Sequence, residues 1–154
     1  MRRPNPKARL AAYLERCRSA GLSVTPQRLA VLEALVASLD HPDAEALWLS
    51  LRPAHPRLSR ATVHRTLEAL VSAGEARKVT PLHAVARYDG NVAPHHHLVC
   101  LRCHRVQDVH DPRFDGLARP GERRGDFQIE SAAVELRGLC KDCRHAPLSA
   151  ESPR

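Results

Sequence analysis

Two cysteine pairs constrain this chain more than any other feature. Cys100-Leu101-Arg102-Cys103 and Cys140-Lys141-Asp142-Cys143 are separated by 36 residues. Each pair has the two-residue gap that lets both sulfurs face one ion. Together they supply the four thiolates of a tetrahedral zinc site. Such a site keeps no open coordination position, so the zinc is structural and pins the end of its module to the first hairpin. A module this small has little core, and the ion supplies much of its folding energy. Paired thiolates hold metal rather than disulfides in a reducing compartment. The basic start Met1–Lys7 is followed by no apolar signal core, and no apolar run is long enough to span a bilayer. The expectation is a cytoplasmic protein with no membrane association. The fifth cysteine, Cys17, shares a helical stripe with Leu10, Tyr13 and Leu14 and reads as a buried structural thiol.

Charge divides the chain. The formal net charge is +7 over 154 residues, which points toward a polyanionic partner, with a generally basic soluble protein as the alternative. Residues 1–85 hold 13 Lys/Arg against 7 Asp/Glu, or +6; residues 86–154 hold 11 against 10, or +1. The basic half lacks the zinc cysteines, which suggests two modules with different tasks.

In residues 1–85 a helix is expected over Pro6–Ala20, stopped by Gly21. A second opens at Thr25-Pro26, a cap followed by proline at the first helical position. A third carries Ala44, Leu47, Trp48 and Leu51 inward. A fourth starts after Ser59 and runs to about Ala73, with Val63, Leu67, Leu70 and Val71 on one face. Two short β runs, Ala76–Thr80 and Ala84–Arg87, follow around a Pro81-Leu82-His83 turn. Helices followed by a hairpin fit a winged helix-turn-helix, whose fourth helix enters the DNA major groove. There Arg60, Arg65, Arg77 and Lys78 neutralise phosphates or, for an arginine, read a guanine. A plain helical bundle with a solvated charged face fits the same periodicity.

In the second half, strands are expected over His97–Leu101, Val106–Val109, Phe127–Glu130 and Ala133–Leu136. Residues 112–118 read as a short helix, residues 119–125 as a polar loop and residues 147–154 as a loose tail. Further metal-ligand candidates are His41, Asp89, His95, His96, His97, Asp108 and His110. On a strand His95 and His97 share a side and His96 points away. Imidazole and carboxylate suit iron(II) or manganese(II). Solvated histidines with no ion are the alternative.

The segments Thr25-Pro26-Gln27-Arg28, His41-Pro42 with Ala44-Glu45, Ser59-Arg60-Ala61-Thr62-Val63, Arg87-Tyr88-Asp89, and the His95/His97 pair leading into the cysteines resemble the ferric uptake regulator (Fur) family. The resemblance spans about residues 10–145. It implies an α+β fold: an N-terminal winged helix over 1–85, a hinge at 86–91, and a small α/β dimerisation module with structural zinc over 92–146. It also implies a homodimer that binds double-stranded operator DNA and performs no catalysis. The implied regulatory site is His41, Asp89, His95, His97 and Asp108, filled by Fe(2+) or Mn(2+). The implied DNA-reading set adds Ser59, Thr62 and His64 to the four basic residues.

Iron sensors of the family carry Glu where this chain has Asp108, and peroxide sensors carry Asp. A further family metal site uses a histidine at the position of Ala132; Asp115 alone remains of it. Both differences make the chain most similar to the peroxide-responsive subgroup, in which Fe(II) and peroxide oxidise a ligand histidine, here His41 or His95. The alternative is an iron-responsive, or less readily a zinc- or manganese-responsive, repressor with no oxidative switch. A metal-dependent hydrolase and a zinc-stapled interaction module are further rivals. Two departures stand out: His64 replaces a tyrosine in the recognition helix, and His104 replaces the glycine after the second cysteine. His96 and His104 are also potential competitors for metal.

Overall fold

The computed structural model describes residues 5–19, 24–79 and 85–145. The expected Gly21 stop, the Pro81-Leu82-His83 turn and the tail beyond residue 146 lie outside them. The chain divides into two compact units, Arg2–Ala93 and Pro94–Arg154.

In the first unit, α1 (Pro6–Ser19), α2 (Pro26–Ala37), α3 (Ala44–Leu51) and α4 (Arg60–Ser72) precede a two-stranded antiparallel wing, β1 (Arg77–Val79) with β2 (Arg87–Asp89). Each helix begins where a side-chain oxygen meets an orphan amide. The Thr25, Asp43 and Ser59 side chains accept from the N–H groups of Arg28, Ala46 and Thr62. The apolar stripes meet in one core built on Val31, Leu32, Leu35, Leu47, Val63, Leu67, Leu70 and Tyr88, with Cys17 and Tyr13 from α1. Cys17 is buried there, and Trp48 packs against the same core.

The wing differs from the sequence reading. Its second strand is Arg87–Asp89, beginning where the expected strand ended. Tyr88 sets this register. Its side chain is 1 % exposed, and its hydroxyl donates to Glu68 Oε1 of α4 at 2.6 Å. Only a strand centred on Tyr88 turns that ring inward. Asp89 therefore sits on the wing of the first unit, and the two units part between Ala93 and Pro94.

Two arginines tie α1 to this frame. Arg9 donates to the carbonyls of Gly90 (2.6 Å) and Glu75 (2.8 Å), and Arg16 Nε donates to Glu75 Oε1 at 2.6 Å. Gly90 is required for close approach, because a Cβ there would lie 2.8 Å from Val36 Cα.

In the second unit, β3 (His96–Cys100) is the centre of a three-stranded sheet ordered β4-β3-β7. It pairs antiparallel with β4 (Val106–Val109) and parallel with β7 (Glu135–Gly138). Short α5 (Pro112–Asp115) and α6 (Lys141–His145) flank it. A small hairpin, β5 (Arg123–Arg124) with β6 (Phe127–Gln128), occupies part of the expected 119–125 loop. It turns at Gly125, whose φ of 59° requires a residue without a Cβ penalty.

Candidate metal centres and DNA-reading face

The four cysteines converge. One sulfur from each of Cys100, Cys103, Cys140 and Cys143 lies within 4.8 Å of the others. The Cys103 and Cys140 sulfurs are 3.7 Å apart. A tetrahedron with zinc–sulfur bonds of about 2.3 Å has an edge of about 3.8 Å, so the set fits zinc. The fold prepares one thiolate. Burial works against charge on Cys100, but backbone N–H groups of Cys103, Cys140 and Arg102 outweigh it and bring the thiol down to about 6. Sharing a side-chain hydrogen bond with Cys140 pushes Cys143 up to about 12, and burial raises Cys103. Crowded sulfurs with opposed preferences are the state a divalent cation relieves.

The second unit also gathers three harder candidate ligands. His97 on β3 lies directly across from Asp108 on β4. His95 Nε2 is 2.9 Å from His97 Nε2 and 3.4 Å from Asp108 Oδ1. An ion with bonds of about 2.1 Å at right angles needs ligand edges of about 3.0 Å, which the two imidazole nitrogens match. The first unit gathers two more. His41 Nε2 lies 3.7 Å from Asp89 Oδ1, and both side chains are buried. Asp89 Oδ1 also accepts from the Asn91 N–H at 2.7 Å.

His41 has a φ of 47°, the left-handed region, although it is not glycine. Arg87 Nη1 donates to its carbonyl at 3.2 Å, and the Tyr88 N–H donates to that of Pro42 at 3.0 Å. Strain held by the wing strand thus falls on a candidate ligand residue.

The exposed face of α4 carries Arg60, Ala61, His64, Arg65 and Ala69. The other expected DNA contacts are engaged within the unit. Ser59 Oγ caps α4 and lies 2.8 Å from Thr62 Oγ1. Arg77 Nη2 donates to the Val92 carbonyl, and Lys78 Nζ to Glu68, each at 2.8 Å. His64 lies on the open face with Arg65, and Arg60 pairs with Glu45 at 3.2 Å.

A model of the ferric uptake regulator family matches residues 19–137. The chain belongs to the ferric uptake regulator family. It is 32 % identical over 127 residues to the peroxide-responsive repressor PerR of Staphylococcus epidermidis, covering 82 % of this chain and 85 % of that one. The match to PerR of Staphylococcus aureus has the same identity, with 82 % and 86 % covered. Among solved structures, the Helicobacter pylori ferric uptake regulator superposes with a TM-score of 0.75 at 21 % identity, over 96 % of this chain and 99 % of that one. The zinc-bound manganese uptake regulator follows at 0.63 and 27 %, over 82 % and 96 %. This Fur-family chain is accordingly a transcriptional regulator and not an enzyme. No helix among the described residues is long and apolar enough to cross a membrane.

Two of the histidines singled out in the sequence, His104 and His96, now have physical content. His104 adopts a φ of 56° and donates its N–H to the Cys100 carbonyl at 3.0 Å. The cysteine turn therefore keeps the left-handed corner a glycine makes easily, at a steric cost to histidine. His96 is not poised as a rival ligand. Its Nδ1 accepts from the Val134 N–H at 3.1 Å, so the proton lies on Nε2, 3.1 Å from Asp115 Oδ1. Both ring nitrogens are committed to a latch between β3, α5 and the start of β7, where the family's extra metal site would be.

Sequence reasoning used Tyr88 only as a mark of the family resemblance and passed over Asn91, whose N–H holds Asp89 Oδ1. The Asp89-Gly90-Asn91 turn signal was the available hint.

Proposed function

We propose that the chain is a homodimeric, metal-dependent DNA-binding repressor that senses peroxide. One Fe(II) or Mn(II) ion is bound jointly by His41 and Asp89 of the first unit and His95, His97 and Asp108 of the second. The observation that carries this reading is the division of ligands. Each unit holds a convergent but incomplete set, two in one and three in the other. An ion that takes both sets fixes the hinge between them and selects one spacing of the α4 helices in a dimer. Two half-sites on operator DNA are read only at the matching spacing. The coupling typical of such linkage is about 1–3 kcal/mol. The second copy has a surface to meet: β7 is an edge strand, and Leu98, Leu101, Leu136 and Leu139 are exposed. A reducing cytoplasm is where operator DNA and paired thiolates coincide.

Peroxide sensing is supported by the PerR relatives and by Asp at position 108. Fe(II) held by His41, Asp89, His95, His97 and Asp108 would supply the reductant for peroxide. The resemblance to the peroxide sensors implies that His41 or His95 would take the oxygen, and an oxygen added to either ring would weaken a ligand and free the hinge. Manganese(II) occupies the same ligands without that reaction. Mass spectrometry after peroxide treatment tests this. The iron-loaded protein gains one oxygen on the peptide holding His41 or His95, and the manganese-loaded protein does not. Unmodified peptides at full loss of DNA binding contradict histidine oxidation.

A further inference from the structure

We propose that Trp48, Arg52 and Arg60 form a phosphate clamp at the entry of the reading helix, gripping the DNA backbone beside the base-reading side chains. The inference rests on the DNA-binding reading above and adds two residues, Trp48 and Arg52, that the recognition helix does not contain.

Trp48 is the chain's single tryptophan. It packs against the core, and its indole N–H donates to the Leu58 carbonyl at 2.8 Å, across the turn between α3 and α4. The ring is therefore a fixed platform. Two guanidinium groups use it. The Arg60 carbon lies 4.4 Å from the ring centroid and the Arg52 carbon 5.3 Å. Arg52 caps the end of α3 in helical conformation, one turn after Trp48, which places both on the same side of that helix. Arg60 is the first residue of α4.

Stacking on an indole leaves the in-plane N–H donors of a guanidinium free to point outward. It also removes much of the rotamer freedom an arginine loses on gripping a phosphate. Two like charges held at one ring repel each other, and a phosphodiester between them relieves that repulsion. The ion pair opposing this is weak. Arg60 and Glu45 are 3.2 Å apart with side chains 66 % and 48 % exposed, a pair water screens and a phosphate displaces. Among the described residues no carboxylate pairs with Arg52. His64 and Arg65 follow on the exposed face of α4. A backbone grip at its first turn sets the register in which they meet base edges, as phosphate contacts position and base contacts specify.

The test uses a duplex enriched from a random-sequence pool on the manganese-loaded full chain. Its affinity is measured against salt for the wild type and for Arg52→Ala, Arg52→Lys, Glu45→Gln and Arg123→Ala. Trp48 emission reports binding without a label, and far-UV circular dichroism checks that each variant is folded. Arg52→Ala is expected to weaken binding several-fold and to make the log K–log salt slope shallower by about 0.9, one phosphate contact. Arg52→Lys keeps the slope but binds more weakly, because lysine has the charge without the planar stack. Glu45→Gln binds more tightly, since it frees Arg60. Arg123→Ala, an equal charge change in the second unit, leaves affinity and slope unchanged. A wild-type slope in Arg52→Ala, or an equal loss in Arg123→Ala, overturns the clamp while leaving DNA binding intact. Absence of saturable binding by the wild type overturns the DNA-binding reading itself, and the clamp with it.

Discussion

Replacing Tyr88 with phenylalanine removes one oxygen and tests how the wing is held to the reading helix. The Tyr88 hydroxyl donates to Glu68 Oε1 at 2.6 Å, and Lys78 Nζ meets the same oxygen at 2.8 Å. Burial raises the Tyr88 phenol above its ordinary range, with the Glu68 bond adding to it; bonds from Lys78 and then Tyr88 lower the Glu68 carboxyl. A hydrogen bond to a charged group contributes about 1.5–3 kcal/mol. Glu68 keeps Lys78 and is 41 % exposed, so water compensates in part and the expected loss is about 1–2 kcal/mol. The phenylalanine ring fills the same space, so no cavity term adds to it. Urea unfolding followed by Trp48 fluorescence reads this unit directly. Its midpoint should fall with an unchanged m-value. Glu68→Ala in a double-mutant cycle should show a coupling of about 1 kcal/mol. The signs fix the pH window. Glu68, depressed, contributes above the carboxylate range and loses that contribution as pH falls through its folded value. Tyr88, raised, contributes below about pH 10 and loses it as pH rises through its folded value. A Tyr88→Phe midpoint equal to wild type, or strictly additive single losses, refutes the claim that the Tyr88–Glu68 bond holds the wing to α4.

Glu75→Ala removes the carboxylate that meets Arg9 at 3.6 Å and Arg16 at 2.5 Å, while Arg9 keeps its bonds to the Gly90 and Glu75 carbonyls; thermal or urea unfolding should show a loss of about 1–3 kcal/mol. His104→Gly relieves the left-handed corner of the cysteine turn and should stabilise the second unit by about 0.5–1 kcal/mol, read as slower zinc release to a chelator. In metal-stripped, reduced protein, Cys100 at about 6 adds stability as pH rises from 6 toward its unfolded value near 9, whereas Cys143 at about 12 removes it as pH rises above 9. A stability maximum near pH 9 in a pH series of denaturation midpoints checks both signs.

The helices and zinc cysteines were legible because their causes are local. Thr25-Pro26 and Ser59 sit next to the amides they cap, and the spacing of each cysteine pair fits one ion without reference to the rest of the chain. What escaped was set at a distance. The register of β2 depends on Tyr88 reaching Glu68, twenty residues earlier, and no alternation in Ala84–Arg87 reveals that. Placing Asp89 on the wing follows from the same contact. The β5–β6 hairpin is two residues per strand within a Gly- and Arg-rich run, too short for periodicity to mark. The positive φ of His41 depends on Arg87 and Tyr88, more than forty residues away. The alternation of His95 and His97 was visible, but the fate of His96 depended on Val134 and Asp115. Arg77 and Lys78 have the charge for DNA; their internal partners Val92 and Glu68 are seen only in three dimensions.

The central claim is that one ion, bound by ligands from both units, sets DNA affinity. Operator affinity should be measured for the zinc-loaded wild type and His41→Ala, each with and without saturating manganese(II). The account predicts that manganese tightens wild-type binding by about 5- to 150-fold. His41→Ala, which keeps His95, His97 and Asp108, should show little or none of that gain. Equal tightening in both proteins would contradict it.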